Sequence, residues 1–117
     1  MGTGDSFVTG FAQDDDDGYS GSWSVTTYAI CAFPIPGLQK IVSTTAMNRV
    51  SVKTAIASCP FGTRALGGGW DVNNGQGEVY VTGISTQTNG ETVTARTDFN
   101  GYNNDWSLTA FAVCANP

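Results

Sequence analysis

Residues 101–115 read Gly-Tyr-Asn-Asn-Asp-Trp-Ser-Leu-Thr-Ala-Phe-Ala-Val-Cys-Ala. Trp106, Leu108, Ala110, Ala112 and Cys114 recur at every second position, so an extended chain puts them all on one face, the signature of a half-buried strand. Residues 18–32, Gly-Tyr-Ser-Gly-Ser-Trp-Ser-Val-Thr-Thr-Tyr-Ala-Ile-Cys-Ala, repeat the pattern. The offset is constant, because 106 minus 23 for the tryptophans and 114 minus 31 for the cysteines both give 83. A repeat that long is a whole small domain rather than a solenoid unit. The expected organisation is therefore residues 1–36 as the second half of a preceding repeat plus a Pro-rich linker, and residues 37–117 as one complete β-module. A tail of that kind cannot bury its own apolar face, and another surface must finish it.

Strand-like alternation continues outward from this segment. It predicts strands over residues 22–31, 39–45, 50–59, 63–69, 78–86, 91–98 and 105–114, with a weaker one over 6–13. Asn74-Gly75, Asn89-Gly90 and Asn100-Gly101 are strong short hairpin signals, since both residue types tolerate positive φ. Pro34-Ile35-Pro36-Gly37 interrupts pairing, because proline cannot donate to a ladder. About eight short strands predict an all-β fold, an antiparallel β-sandwich or jelly roll.

Composition agrees with that class and removes several others. The 117 residues are 40% hydrophobic and 13% charged, with 15 glycines. Formal net charge is −5, and all of it lies in residues 1–32, which hold Asp5 and Asp14 to Asp17 with no base. The remainder balances Lys40, Arg49, Lys53, Arg64 and Arg96 against Asp71, Glu78, Glu91, Asp98 and Asp105. With no basic patch to grip phosphates, neither nucleic acid nor an anionic membrane is expected as a partner. No apolar run approaches the roughly 18 residues of a membrane helix. Residues 1–5 do not begin a signal peptide, so the expected routes are excision from a secreted protein or release of a virion protein at lysis.

Residues 37–117 resemble a module of actinobacterial surface and secreted proteins and of phage fibre proteins, often placed after collagen-like repeats. The resemblance rests on Gly37-Leu-Gln-Lys-Ile-Val-Ser, on residues 50–58 leading into Cys59-Pro60-Phe61-Gly62-Thr63, on Leu66-Gly67-Gly68-Gly69, and on the closing strand Leu108-Thr-Ala-Phe-Ala-Val-Cys114-Ala. It covers about two-thirds of the chain, and no collagen-like stretch is present. It implies an all-β, non-catalytic extracellular module, frequently on trimeric fibres, and it supplies no catalytic or ligand residues.

Cys59 and Cys114 bracket one module, one before the glycine-rich strand and one in the closing strand. They are predicted to form a disulfide closing a loop of 55 residues (114 minus 59), worth about 4 kcal/mol by the chain-entropy argument. Cys31, the repeat equivalent of Cys114, is then the odd thiol, either buried and inert or bridged to another chain. The competing reading keeps all three as small buried hydrophobes in a reducing compartment.

Other constellations are weighed against plainer explanations. Gly62 and Gly67 have phosphate-loop spacing, but Gly68-Gly69 replaces the Lys-Ser/Thr such a loop needs, which favours a bulge or close backbone approach. Asp14, Asp15, Asp16 and Asp17 are candidate calcium ligands. A calcium loop with Gly18 sixth would start at Gln13 and end at Ser24, neither a carboxylate, so a solvated acidic loop is preferred. Tyr19, Trp70, Tyr102, Asn103 and Asn104 are candidate glycan contacts, aromatic rings beside amides at turns, while Trp23 and Trp106 are expected in the core. With no histidine, Ser-His and Cys-His pairs and histidine metal sites are excluded, and no enzyme is expected. The predicted function is a non-catalytic structural or assembly module of an extracellular or virion surface structure. Its expected partners are copies of itself, as a trimer, or other surface subunits. The alternative is a lectin-like carbohydrate-binding module, with an inhibitor-like or toxin-like binder as a third reading.

Overall fold

A computed structural model describes residues 2–3, 7–14, 17–29, 31, 33 and 35–117, with residues 2 and 3 described by backbone alone. The fold is an antiparallel β-sandwich. Its strands are β1 (Gly2–Thr3), β2 (Val8–Thr9), β3 (Gln39–Thr44), β4 (Val52–Ser58), β5 (Arg64–Asn73), β6 (Val79–Gln87), β7 (Gly90–Thr97) and β8 (Ser107–Ala115). One three-stranded sheet has the order β3-β8-β5 and the other β4-β7-β6, with β1 and β2 forming a separate short ladder.

The closing segment is the centre of this arrangement. β8 pairs with β3 from Gln39↔Cys114 to Thr44↔Thr109, and with β5 from Arg64↔Ala115 to Asn73↔Ser107. Its alternating face is buried as the sequence pattern requires: Trp106, Leu108, Ala110, Ala112 and Cys114 all lie in the core. They meet Ala55 and Ala57 of β4 and Val93 and Ala95 of β7, with Ile41, Val72, Val79 and Val81 partly buried around them. Alanine on both inner faces permits close approach of the sheets, and the large side chains Trp106 and Leu108 fill one end of the layer.

The Cys59–Cys114 disulfide joins the residue that follows β4 to the central strand of the opposite sheet, with Cα atoms 5.7 Å apart. It covalently ties the two layers together. It also points to an extracellular or otherwise oxidising environment.

The glycine-rich strand behaves as its composition suggests. Its register with β8 shifts between Ala65 and Gly67, a bulge at Leu66. At Gly68 the close neighbours are the Glu91 carboxylate and the Phe111 carbonyl oxygen, not an aromatic ring.

Three expectations change. Of the Asn-Gly pairs, only Asn89-Gly90 marks a hairpin, where β6 and β7 pair up to Gln87↔Gly90. Asn74-Gly75 and Asn100-Gly101 instead lie where the chain crosses between sheets, from β5 to β6 and from β7 to β8. Positive φ is used there, at Asn74 (62°) and Gly101 (77°), but to turn a corner of the sandwich. Of the weak strand expected over 6–13, Ser6 lies outside the described residues, and of residues 7–13 only Val8–Thr9 are strand.

The third change concerns the repeated segment. Residues 22–29 belong to no strand, although their pattern matches that of β8. The reason lies in topology. β8 exists as a strand because two others hydrogen-bond it on either side, and among the described residues no equivalents of β3 and β5 flank residues 22–29. Sequence pattern alone does not supply ladder partners.

Candidate functional site

β5 and β6 lie at the same side of the sandwich, one at the edge of each sheet, joined by the corner over residues 74–78. That corner is tightly held. The Glu78 amide donates to Gly75 O (3.0 Å), and the Asn74 side chain donates to Asp105 O (2.9 Å). The open side between the two edge strands forms a cleft of about 720 Å³. Trp70 of β5 and Tyr80 of β6 line it, with Phe99 at its rim and Phe11 from the N-terminal segment above. The Phe11 ring meets Trp70 edge-on, with centroids 6.2 Å apart. Gln13, Gln76, Glu78 and Asp98 add polar groups. Aromatic faces beside amides and carboxylates can stack on the C–H face of a sugar ring and accept or donate to its hydroxyls.

A second, shallower cleft of about 510 Å³ lies across Ala12 and Gln13, which line both. Tyr19 and Trp23 line it, together with Asp14 and Gly18.

The predicted glycan residues are thus dispersed. Trp70 lies in the larger cleft and Tyr19 in the smaller one. Tyr102 lies in the core at 9% exposure, and its hydroxyl donates to Asn74 O at 2.7 Å. That hydrogen bond ties the β7–β8 crossover to the β5–β6 corner and leaves the ring no outward face. Asn103 accepts from Arg49 (3.2 Å), and Asn104 is exposed nearby. Phe11, Tyr80 and Phe99 were not singled out from the sequence. Tyr80 reaches the cleft through the proximity of β5 and β6, Phe11 through the N-terminal segment and Phe99 through the β7–β8 crossover, and no spacing along the chain encodes that.

A second polar cluster sits at the same end of the strands, on the β3–β4 side of the core. Lys53, on the inner face of β4, is buried, with its ammonium 4.9 Å from the centroid of the Trp106 ring. It donates to Ala46 O (2.7 Å) and to Asn48 Oδ1 (2.5 Å). Burial lowers its pKa below the ordinary lysine value, and the Asp105 carboxylate partly opposes this. The Trp106 indole N–H donates to Val50 O at 3.0 Å. Here the cation closes the loop between β3 and β4 over the tryptophan, a structural role.

The three cysteines have different fates. Cys59 and Cys114 are joined, while Cys31 is free and exposed. Of the two readings of Cys31, buried and inert or bridged to another chain, the structure corrects the first. Its counterpart is buried because β8 has a strand on each side and the other sheet across the core, and among the described residues Cys31 has no such neighbours. Trp23 differs in the same way: it was expected in the core, yet it is 47% exposed, whereas Trp106 is fully buried.

Of the acidic run, Asp15 and Asp16 lie outside the described residues. Among the described residues no group of three or more His, Cys, Asp or Glu side chains gathers as a metal site. Among the same residues no helix is long and apolar enough to cross a membrane. Compared with protein-family models, with curated proteins and with solved structures, the chain matches none.

Proposed function

We propose that this chain is a non-catalytic structural module that assembles into an extracellular surface structure of a cell or a virion. The observation that carries this reading is apolar surface left uncovered on a rigid, disulfide-tied sandwich. Val52 and Ile56, on the outer face of β4, are 50% and 56% exposed, and the repeated segment presents Trp23, Val25 and Tyr28. Where such groups join into a contiguous patch they mark a surface that other subunits cover, and the outer face of β4 and the repeated segment are the candidates for it. The disulfide suits an oxidising location, and the resemblance of residues 37–117 to modules of surface and fibre proteins points the same way. Light scattering on the purified chain tests it: a trimer or larger assembly is expected, and a clean monomer overturns association between copies.

A second reading, carbohydrate binding, is favoured by the cleft at Trp70. It predicts saturable binding on a glycan array that Trp70→Ala abolishes while the fold survives. Silence across the array removes it.

A further inference from the structure

Residues 23–32 and 106–115 are identical at six of ten positions, and the differences are conservative: Val25 for Leu108, Thr27 for Ala110, Tyr28 for Phe111 and Ile30 for Val113. The second copy occupies a slot between β3 and β5, with an inner face that is wholly buried. The register that places Ala112 opposite Ile41 and Gly68, and Cys114 opposite Gln39 and Ala65, is fixed by this sequence pattern. The first copy carries the same pattern, so it fits the same kind of slot.

Each chain, however, offers two such segments and one slot. Residues 107–115 hold that slot, and the disulfide to Cys59 locks them there. They are also the better occupant. Thr27 would bring a hydroxyl to the position of fully buried Ala110, and Val25 would leave space that Leu108 fills. An identical copy with its slot filled therefore gives the first segment no place either.

We propose that residues 22–31 are a donor closing strand for a partner unit of the β3–β7 type whose own slot is open and whose cysteine equivalent to Cys59 is unpaired. The inference rests on the assembly reading only in taking the partner to be a unit of the same structure. Docking buries Trp23, Val25, Ala29 and Cys31 in the partner's core and gives the donor backbone two ladders. Exposed Cys31 then lies where Cys114 lies in the intact module. A low-molecular-weight disulfide such as glutathione disulfide is the oxidant that completes the bond. Cys31 displaces one glutathione thiol to form a mixed disulfide, and the partner cysteine displaces the second, so one disulfide is reduced as one is formed.

The test uses the full-length chain carrying Cys114→Ser, which leaves Cys59 unpaired and removes the bond that locks β8 in its slot. Incubation with oxidised glutathione is expected to give a Cys31–Cys59 bond, located by peptide mapping. Adding Cys31→Ser abolishes it, and adding Trp23→Ala lowers its yield at least tenfold. Recovery of Cys31 and Cys59 only as free thiols or as glutathione adducts, with no bond between them, overturns the proposal. Oligomers by light scattering with no Cys31–Cys59 bond leave the assembly reading standing and remove the donor strand alone.

Discussion

The Glu91 carboxylate lies directly against Gly68, so that a β-carbon on residue 68 would overlap Oε2 and the Phe111 carbonyl oxygen at once. Glu91 is 1% exposed. Its Oε2 accepts from Thr86 Oγ1 at 2.6 Å, while Oε1 has no partner among the described protein groups. Gly68→Ala is expected to destabilise the fold by about 1–3 kcal/mol through overpacking. Adding Glu91→Ala should recover only part of the loss, because the Phe111 oxygen belongs to a central strand and cannot move aside. Urea melts of the two variants check this, and full recovery in the double variant would show that the side chain alone sets the constraint.

The disulfide spans the layers, so its loss acts on the whole sandwich. Cys59→Ser with Cys114→Ser should cost about 4 kcal/mol, the chain-entropy value for a 55-residue loop. The measure is the urea midpoint of the double variant against the oxidised chain. A shift equivalent to less than about 1 kcal/mol would mean that the inter-sheet packing holds the layers unaided.

Lys53 gives the fold a pH dependence of definite sign. Its folded pKa lies below the ordinary value of 10.5, because burial disfavours the ammonium. Between the lowered value and 10.5 the unfolded chain binds more protons than the folded one. Stability therefore rises with pH across that window and carries the burial penalty below it. Lys53→Met removes this slope, and it strands the Ala46 carbonyl and Asn48 Oδ1 without their donor, at a cost near neutral pH of about 1–3 kcal/mol. Paired denaturation curves at neutral and alkaline pH read out the difference; a wild-type advantage that shrinks as pH rises contradicts the sign.

Much of the sandwich was legible because period-two alternation reports burial directly. Trp106 through Cys114 share a buried face as their spacing requires, and Cys59 and Cys114 pair. The Asn-Gly signals were legible only as turns. Asn74 and Gly101 adopt the positive φ their chemistry allows, but whether a turn closes a hairpin or crosses between sheets depends on which strands pair, and that is decided at long range. Of the cleft only Trp70 was legible, since it and Tyr80 come to one cleft through the edges of two different sheets. The repeated segment shows the same limit most sharply, with a strand's sequence and no strand's neighbours.

Tyr102 separates a structural from a binding role. Tyr102→Phe removes one hydroxyl that donates to Asn74 O and should cost about 0.5–1.5 kcal/mol. Tyr102→Ala should cost about 3–5 kcal/mol, as for other buried aromatic truncations. Tyr102 does not itself line the Trp70 cleft, and Tyr102→Phe keeps the ring that packs behind the corner lining it. If a glycan binds there, Tyr102→Phe should leave its affinity unchanged, and a loss of binding in a folded Tyr102→Phe protein would place the sugar elsewhere.

The two tryptophans of the repeat make the sharpest comparison, because sequence treats them alike. Trp106 is fully buried, its ring carries the Lys53 ammonium on one side, and its indole N–H holds Val50 O. Trp106→Ala is expected to cost about 3–5 kcal/mol. Trp23, 47% exposed on a segment without ladder partners, should cost within about 0.5 kcal/mol when cut to alanine in the isolated chain. Indole emission distinguishes their surroundings independently. Trp23 should be quenched by iodide at the rate of an exposed ring, and Trp106 should resist until the protein unfolds. Equal destabilisation by the two substitutions would mean that the first copy is already packed in solution, and that its segment finds two strand edges within the chain itself.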